Sequence, residues 1–312
     1  MTWALVALLG YFFNAVSAVF DKYLLSDRIP TPAVYAFFVA LFSLFGLGFA
    51  PFGFRVLDFE TTVLFLFSGL LFVYGLVAFY TAMKQHEISR VSPLVGTITS
   101  LVAFLVVFFP GAPGESNVDT WYIIALMLLI LGGLLISFDL PLRRGEHISR
   151  YVVIAGICIG FSFVLLKNGY AHSNFVSGLV WSRIGMVLAG LSLLLVPLFR
   201  QQIFAQFHGF GRQSKRAAST GILFVLNKST AGLATILISY ATYLGSVSFV
   251  QAVSGMQYVF LLLMTLPLSL RYPAVFGERL FFWDWFQKVT AVIIIGLGLW
   301  LATLSGVPLS IV

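Results

Sequence analysis

Three basic residues stand inside long apolar segments of this sequence, where a charge is well placed to bind a ligand. Lys228 lies about ten residues into one such segment, Arg183 about nine residues into another, and Lys167 near the end of a third. If these segments cross a lipid bilayer, each charge is costly and by default marks a functional site. Because a cation in a medium of low dielectric constant attracts anions strongly, Lys228 and Arg183 predict a site for a carboxylate, a phosphate or a zwitterion.

Each of these three cations also has a structural interpretation. A lysine can keep its aliphatic stem in lipid and extend its ammonium group to the headgroups, and the position of Lys167 favours this. The depth of Lys228 makes such an extension expensive, so we expect its side chain to face a cavity between helices. For Arg183 two interpretations stay open: a substrate-binding role, and a tie to backbone carbonyls of a neighbouring helix.

Uncharged polar side chains in the same apolar segments predict the rest of the site. Gln251, Ser254 and Tyr258 follow an i, i+3, i+7 spacing and would share one face of a helix. Lipid cannot satisfy such a face, so it points at protein or water, either as a cavity lining or in hydrogen bonds between helices. Trp181 is either an aromatic wall of the cavity or a residue of the interfacial belt. The predicted substrate-binding residues are Lys228, Arg183, Asn14, Tyr80, Asn227, Gln251, Ser254, Tyr258 and Trp181, and the expected lining extends to Tyr74, Thr97, Thr99, Ser100, Ser229, Tyr240 and Gln257.

Sequence patterns of enzymes and metal sites are absent. The four histidines, His86, His147, His172 and His208, lie at loops or segment ends without H-E-x-x-H spacing, and there is no G-x-S-x-G or Walker sequence. The single cysteine, Cys158, can form neither an intramolecular disulfide nor a thiolate cluster. No Asp or Glu lies in the middle third of any apolar segment, which disfavours a proton-coupled exporter of lipophilic cations. We therefore predict no enzyme activity, no cofactor and no metal.

The elements that must position these residues are membrane helices. The 312 residues are 60% hydrophobic and 9% charged, with a mean hydropathy of +1.02, whereas a soluble domain has about 25% charged residues. This composition excludes an ordinary soluble enzyme or nucleic-acid-binding protein. The net charge of +7 is typical of loops that face an anionic cytoplasmic leaflet, and the run Leu126–Leu131 lacks the alternation of a β-barrel strand. Ten apolar segments are each long enough to cross a bilayer, at residues 3–24, 32–52, 60–82, 90–109, 120–138, 150–170, 174–199, 218–243, 247–269 and 285–308.

The two halves of the chain repeat one another. The pairs separated by 159 residues are Ala82 with Ala241, Ile88 with Val247, and Gly96 with Gly255. This register predicts two five-helix halves, at residues 1–140 and 150–312. Because five is an odd number, equivalent helices cross the membrane in opposite directions, which is the inverted repeat used for alternating access. The predicted fold is an all-α polytopic membrane protein with ten transmembrane helices in two inverted five-helix repeats.

Both halves close with a glycine–glutamate pair, an aromatic residue and a glycine-rich last segment. The second half has Phe276-Gly277-Glu278-Arg279-Leu280, then Trp283 and Gly296-Leu297-Gly298, and the first half has Gly114-Glu115. These endings resemble the EamA-type branch of the drug/metabolite transporter superfamily, in which an arginine often stands where Arg183 does. The resemblance implies export or exchange of a solute through a central cavity between the halves, with the fifth and tenth helices at the periphery.

Loop charges orient the chain. Fourteen Lys and Arg residues lie in the loops and segment ends after the odd-numbered segments, whereas the loops on the opposite side contain Arg55 alone. The positive-inside rule therefore places the odd-numbered loops in the cytoplasm and both termini outside. The resemblance implies the opposite orientation, with both termini in the cytoplasm. In either case we expect an integral, multi-pass protein of the cell (inner) membrane.

The function that fits these observations is secondary transport of a small polar metabolite, anionic or zwitterionic, such as an amino acid or an organic acid. The carrier would export or exchange this metabolite by alternating access. The alternatives are a flippase for lipid-linked sugars or a membrane enzyme, and a membrane sensor or scaffold. The expected partners are the metabolite and membrane lipids, with no nucleic acid. The glycines of Gly156-x-x-x-Gly160 would serve contact between the halves or a homodimer.

Overall fold

Every element that the described part of the chain forms is a helix. The computed structural model describes residues 2–28, 31–86, 88–107, 120–137, 149–209, 214–271 and 282–304. Short non-α helical segments lie at Leu24–Arg28 (π), Ser43–Phe52 (3₁₀) and Leu193–Leu195 (3₁₀). The α-helices are α1 (Thr2–Tyr23), α2 (Pro32–Phe42), α3 (Phe59–Gln85), α4 (Ile88–Val107), α5 (Thr120–Ser137), α6 (Arg150–Tyr170), α7 (Phe175–Ser192), α8 (Pro197–Gly209), α9 (Ser214–Leu244), α10 (Val247–Ala252), α11 (Gly255–Arg271) and α12 (Phe282–Leu304).

Seven helical stretches within the described residues are long and apolar enough to cross a membrane. They are Thr2–Ser26, Pro32–Phe52, Phe59–Gln85, Arg150–Tyr170, Phe175–Leu195, Ser219–Leu244 and Phe249–Ser269. Shorter apolar stretches of α4, α5 and α12 cover Val91–Leu105, Ile123–Leu135 and Val289–Gly298. The prediction of an all-α, multi-pass membrane protein is thereby confirmed.

Three predicted segments differ in detail from the observed helices. The second segment changes from α-helix to a 3₁₀ helix at Ser43, and the ninth is interrupted at Val253 and Ser254, between α10 and α11. The seventh segment, predicted at residues 174–199, ends as an α-helix at Ser192. Pro197 then begins the separate helix α8, because a proline fits the first turn of a helix, where no N–H partner is needed.

Polar side chains fix the ends of the long helices. Asp58 begins α3, where its Oδ2 accepts a 3.0 Å hydrogen bond from the backbone N–H of Thr61, which lowers the pKa of this exposed carboxyl group. At the other end of α3, Nζ of Lys22 donates to the carbonyl oxygens of Met83 and His86, at 2.9 and 3.0 Å. These carbonyls lack partners inside the helix, so a lysine beside them stabilises the helix end.

The C-terminal end of α9 is capped in the same way. Nζ of Lys167 donates to the carbonyl oxygens of Thr242, Tyr243 and Gly245, at 3.1, 3.3 and 2.8 Å. The expectation that Lys167 extends to the headgroups is therefore wrong, because its ammonium group is held by backbone carbonyls of α9.

Glycines bring helices of the two halves into close contact. A Cβ atom at Gly75 of α3 would lie 2.7 Å from Ile159 of α6, and one at Gly10 of α1 would lie 2.9 Å from Ile238 of α9. A contact with backbone joins α3 to α7, where a Cβ atom at Gly69 would lie 2.3 Å from the backbone oxygen of Ser182. Because these contacts involve backbone and buried side chains, larger residues would force the helices apart.

The other glycine pairs also serve contact between the halves. Gly156 and Gly160 of α6 pack against Ile98 and Val102 of α4. Gly132 of α5 and Gly298 of α12 lie in the contact between these two helices. The contact between halves that the small residues predicted is thus present, and the homodimer stays a prediction.

The sequence motifs that close the two halves, Gly114-Glu115 and Phe276–Leu280, lie outside the described residues. The side chain of Trp283 does so as well.

Candidate functional site

A buried ion pair joins the two halves of the chain. Nζ of Lys228 on α9 lies 2.7 Å from Oδ1 of Asp21 on α1, and the two residues are only 3% and 6% exposed. Asp21 is near the end of α1 in the sequence, but the helix continues as the π-helical turn Leu24–Arg28, so the carboxylate stays inside the bundle. The charge of Lys228 is therefore neutralised by a carboxylate that the sequence did not reveal.

Asp21 is the centre of a polar cluster from four helices. Its Oδ1 accepts hydrogen bonds from the Tyr35 hydroxyl on α2 and from Nδ2 of Asn227 on α9, each at 2.5 Å. Its Oδ2 has a single, long hydrogen bond of 3.4 Å from the Tyr80 hydroxyl on α3. Charged donors and several hydrogen bonds stabilise a carboxylate at this depth, where an isolated one would be strongly disfavoured.

Aromatic rings surround the ammonium group of Lys228. Its Nζ lies 4.6 Å from the centre of the Tyr35 ring, 5.8 Å from that of Tyr80 and 5.7 Å from that of Phe224. The negative faces of such rings attract a cation, and the attraction is stronger where water is excluded. The cluster around Asp21 is thus built to hold one positive charge.

One atom of this cluster has no hydrogen-bond partner in the part of the chain that the structure describes. Oδ1 of Asn227 is fully buried and accepts no hydrogen bond, although Nδ2 of the same amide binds Asp21. Buried carbonyl oxygens nearly always accept a hydrogen bond, so this atom has an unused acceptor beside the carboxylate.

Arg183 of α7 lies at a separate small cavity between α3, α6, α7 and α9. The residue is 8% exposed, and the only hydrogen bond of its guanidinium group among the described residues is from Nη1 to Sδ of Met186, at 3.1 Å. A thioether is a weak acceptor, and no described carboxylate pairs with this arginine. The cavity, with a volume of about 20 Å³, has room for a single water molecule. Its lining is Ser68, Gly69, Phe72, Ser162, Phe163, Leu166, Ser182, Arg183, Met186, Thr235 and Ser239.

The surroundings of Arg183 contain a buried polar atom that has no hydrogen-bond partner among the described residues. The Tyr170 hydroxyl, which interacts electrostatically with Arg183, is buried and has no hydrogen-bond partner. The stem of Arg183 packs on Gly46 of the 3₁₀ helix, where a Cβ atom would lie 2.8 Å from Cγ of the arginine. The alternative that Arg183 ties α7 to carbonyls of a neighbour is not what the structure shows.

One face of α9 connects the Arg183 cavity to the Asp21 cluster. Thr235 and Ser239 line the cavity and lie seven and eleven residues after Lys228, so the three side chains share one helix face. Lys228 and Thr235 are about 10 Å apart along the helix axis. Between them, Gly232 faces open space, since a Cβ atom there would meet nothing within 4 Å.

The remaining predicted polar residues mostly join helices. Nδ2 of Asn14 donates to Oε1 of Gln257 at 3.0 Å, and the Tyr11 hydroxyl lies 3.5 Å from Oε1 of Gln251. Ser100 donates to the backbone oxygen of Gln251 at 2.9 Å. For this stripe the interpretation as hydrogen bonds between helices fits the structure better than a cavity lining.

Ser254 and Tyr258 pack on α4 at Gly96. The Tyr258 hydroxyl lies so close to the Gly96 backbone that a Cβ atom there would be 1.6 Å away, and Oγ of Ser254 would be 3.1 Å away. Gly96 is therefore required for this contact, which no spacing rule in the sequence predicted.

Trp181 is half-buried beside Phe54, with ring centres 5.9 Å apart. Its indole N–H is buried and has no acceptor among the described residues.

Ser229 and Tyr240, both expected in the cavity lining, are exposed. Within the described residues, no three His, Cys, Asp or Glu side chains are placed to hold a metal ion.

Comparisons with known proteins identify the fold and no function. No protein-family model and no curated protein matches the sequence. One solved structure, described only as the crystal structure of a protein, aligns with 97% of this chain and 96% of its own, with a TM-score of 0.59 and 14% identity. At this identity the similarity establishes a shared fold across nearly the whole chain and leaves the activity to be inferred from the site.

Proposed function

We propose that this protein is a secondary transporter of the cell (inner) membrane that moves a small anionic or zwitterionic metabolite by alternating access. The observation that carries the proposal is Arg183, a buried guanidinium group at a cavity whose lining includes five serine and threonine residues, without a carboxylate partner among the described residues. A permanently charged group in such a place is costly unless an anion arrives to compensate it. Arginine and serine or threonine hydroxyls are the donors that suit a carboxylate or a phosphate.

The size of the cavity requires movement for transport. A volume of about 20 Å³ holds one water molecule and excludes an organic acid. An anion can therefore reach Arg183 only when the surrounding helices separate. This favours a carrier that opens and closes around the site over a scaffold with fixed contacts.

The lysine caps support the assignment of two five-helix repeats, residues 1–140 and 150–312, within ten membrane spans. Lys22 binds the carbonyls of Met83 and His86, and Lys167 binds those of Thr242 and Gly245. Met83 and Thr242 are separated by 159 residues, as are His86 and Gly245, and this is the separation found in the sequence repeat. A lysine at the end of the first helix of each half thus caps the third helix of its own half, at carbonyl positions that match between the halves.

The equivalent helices of the two halves occupy different arrangements, which is what alternating access requires. Gly69 lets α3 approach the backbone of α7, whereas the residue 159 positions later is Lys228, on α9. There α9 contacts α2 through side chains, including ring contacts of Phe224 with Tyr35 and Phe38. Helices α3 and α7 therefore touch at their backbones. In the equivalent pair, the Asp21–Lys228 cluster lies between α9 and α2.

Counterflow in proteoliposomes tests the proposed function. Proteoliposomes that contain the purified protein are loaded with one compound at a time from a panel of amino acids, organic acids, sugars and phosphates. Uptake of the same compound, added outside in labelled form, is then measured. We expect exchange of at least one carboxylate or phosphate, with a loss of ten-fold or more in Arg183→Gln and partial activity in Arg183→Lys, which keeps the charge but not the planar geometry.

The matched control is Arg200→Gln, since Arg200 is exposed on α8. Exchange by Arg183→Gln at the wild-type rate and equal expression would remove Arg183 from the site. Failure of every compound in the panel to exchange would contradict the carrier hypothesis itself.

A further inference from the structure

We propose that Asp21 is a proton-binding site and that the transported anion crosses the membrane together with one proton. In this exchange of partners, the anionic group of the substrate replaces the Asp21 carboxylate on Lys228, and Asp21 takes up one proton. The inference rests on the proposed function and adds the coupling ion to it.

Charge balance at the cluster requires the proton. In the structure one carboxylate neutralises one ammonium group, and both are almost completely buried. An anion that binds Lys228 leaves the carboxylate of Asp21 without its cation, and an unpaired buried charge is strongly disfavoured. Uptake of one proton converts Asp21 to a neutral carboxylic acid, so the cluster again has no net charge with the anion bound.

The unpartnered atom of Asn227 fits the protonated form of Asp21. The amide already donates from Nδ2 to Oδ1 of Asp21, and its Oδ1 has no donor. A carboxylic acid has one O–H donor. With the proton on Oδ2, this O–H can donate to Oδ1 of Asn227 and close a cyclic, doubly hydrogen-bonded acid–amide pair. The ionised carboxylate leaves that acceptor empty, whereas the acid fills it.

The other groups around Asp21 accommodate either form. The titratable groups that face it from the packed helices, among the described residues, are Tyr35 of α2, Tyr80 of α3 and Lys228 of α9. A tyrosine hydroxyl can donate or accept. Among the described residues, Oδ2 is bound only by the long hydrogen bond from Tyr80, so it is the carboxylate oxygen with room for a proton.

One face of α9 offers the anion a route to Lys228. An anion released from the Arg183 cavity meets the hydroxyl of Thr235, then the open space beside Gly232, then Lys228. This route ends at the ammonium group of Lys228, which Asp21 neutralises in the structure.

Infrared spectroscopy tests the protonation without knowledge of the substrate. In purified full-length Lys228→Met at neutral pH, Asp21 has lost its cation, so we expect the C=O stretching band of a buried carboxylic acid. This band should be missing in the wild type, in the control Lys84→Met, and in the double variant with Asp21→Asn and Lys228→Met. Lys228→Gln serves as a second variant if Lys228→Met does not fold. A spectrum of a folded Lys228 variant without this band would overturn the proposal.

Proton movement tests the coupling in proteoliposomes that contain a trapped pH-sensitive dye. Lactate, succinate, glutamate and inorganic phosphate are added outside as sodium salts, with counterflow of the same compound measured in parallel. We expect net uptake of any compound that exchanges to acidify the interior, and net uptake that remains in Asp21→Asn to carry no protons. Net uptake by the wild type without acidification, or equal acidification per anion in Asp21→Asn, would overturn the coupling and leave the carrier in place. Absence of counterflow with all compounds would instead count against the carrier, and the infrared result would still decide the protonation of Asp21.

Discussion

The ammonium group of Lys22 lies 2.9 Å from the carbonyl oxygen of Met83, and this contact fixes the end of α3 against α1. The equivalent contact, from Lys167 to Thr242, joins α6 to α9. Each lysine donates to carbonyl oxygens that water would bind if the helix ended at the surface of a soluble protein. Removal of each lysine tests how much these two caps contribute to stability.

We expect Lys22→Met and Lys167→Met each to lower stability by roughly 1.5–3 kcal/mol, the contribution of hydrogen bonds to a charged group. The measurement is the thermal unfolding midpoint of the purified protein in detergent. Lys84→Met is the matched control, because Lys84 lies exposed near the end of α3. Similar midpoints for the Lys167 variant and the control would show that the cap contributes nothing.

The pairing of Asp21 with Lys228 predicts strong coupling between the two positions. Removal of one partner of a buried ion pair costs about 3–5 kcal/mol, since the other charge is left uncompensated. We therefore expect Lys228→Met and Asp21→Asn each to lower the free energy of unfolding. The loss in the double variant should be smaller than the sum of the two single losses. A double-mutant cycle on unfolding free energies measures this coupling, and additive effects would mean that the ion pair does not form.

Gly69 predicts a steric effect at the contact of α3 with α7. A methyl group there would meet the backbone of Ser182 and Met186 at 2.3 and 2.5 Å, and backbone atoms cannot rotate away. We expect Gly69→Ala to lower stability by about 1–3 kcal/mol, as overpacking does, whereas Gly221→Ala, with nothing within 4 Å, should not. Equal thermal midpoints for the two variants would contradict the close approach of these helices.

The hydropathy pattern predicted the membrane helices well because lipid imposes one simple requirement on every spanning segment. It could not predict the 3₁₀ helix after Phe42 or the interruption at Val253, since both depend on how neighbouring helices pack. Lys228 and Arg183 were recognised because charges inside apolar segments are rare. Asp21 was missed because it lies near the end of its segment, and Tyr35 because it follows Pro32 at the start of the next. Only the fold of four helices around Asp21 brings these residues together.

Orientation in the membrane is predicted from the loop charges. We expect a cysteine at Val56, which is 82% exposed before α3, to react with an impermeant reagent from outside the cell. A cysteine at Gln85, exposed at the opposite end of α3, should be protected until the membrane is opened. Both are placed in a Cys158→Ser background. The reverse labelling would restore the orientation implied by the EamA resemblance.

The 3₁₀ helix Ser43–Phe52 makes the second membrane span longer than an α-helix with the same number of residues. Its ten residues rise about 2.0 Å each, compared with 1.5 Å in an α-helix. Conversion to α-helix would shorten this stretch by about 5 Å, close to one helical turn. None of its side chains is fully buried, and the segment packs along α7. Because Gly46 packs on the stem of Arg183, contraction of this segment would withdraw its backbone from the arginine and widen the space beside the guanidinium group.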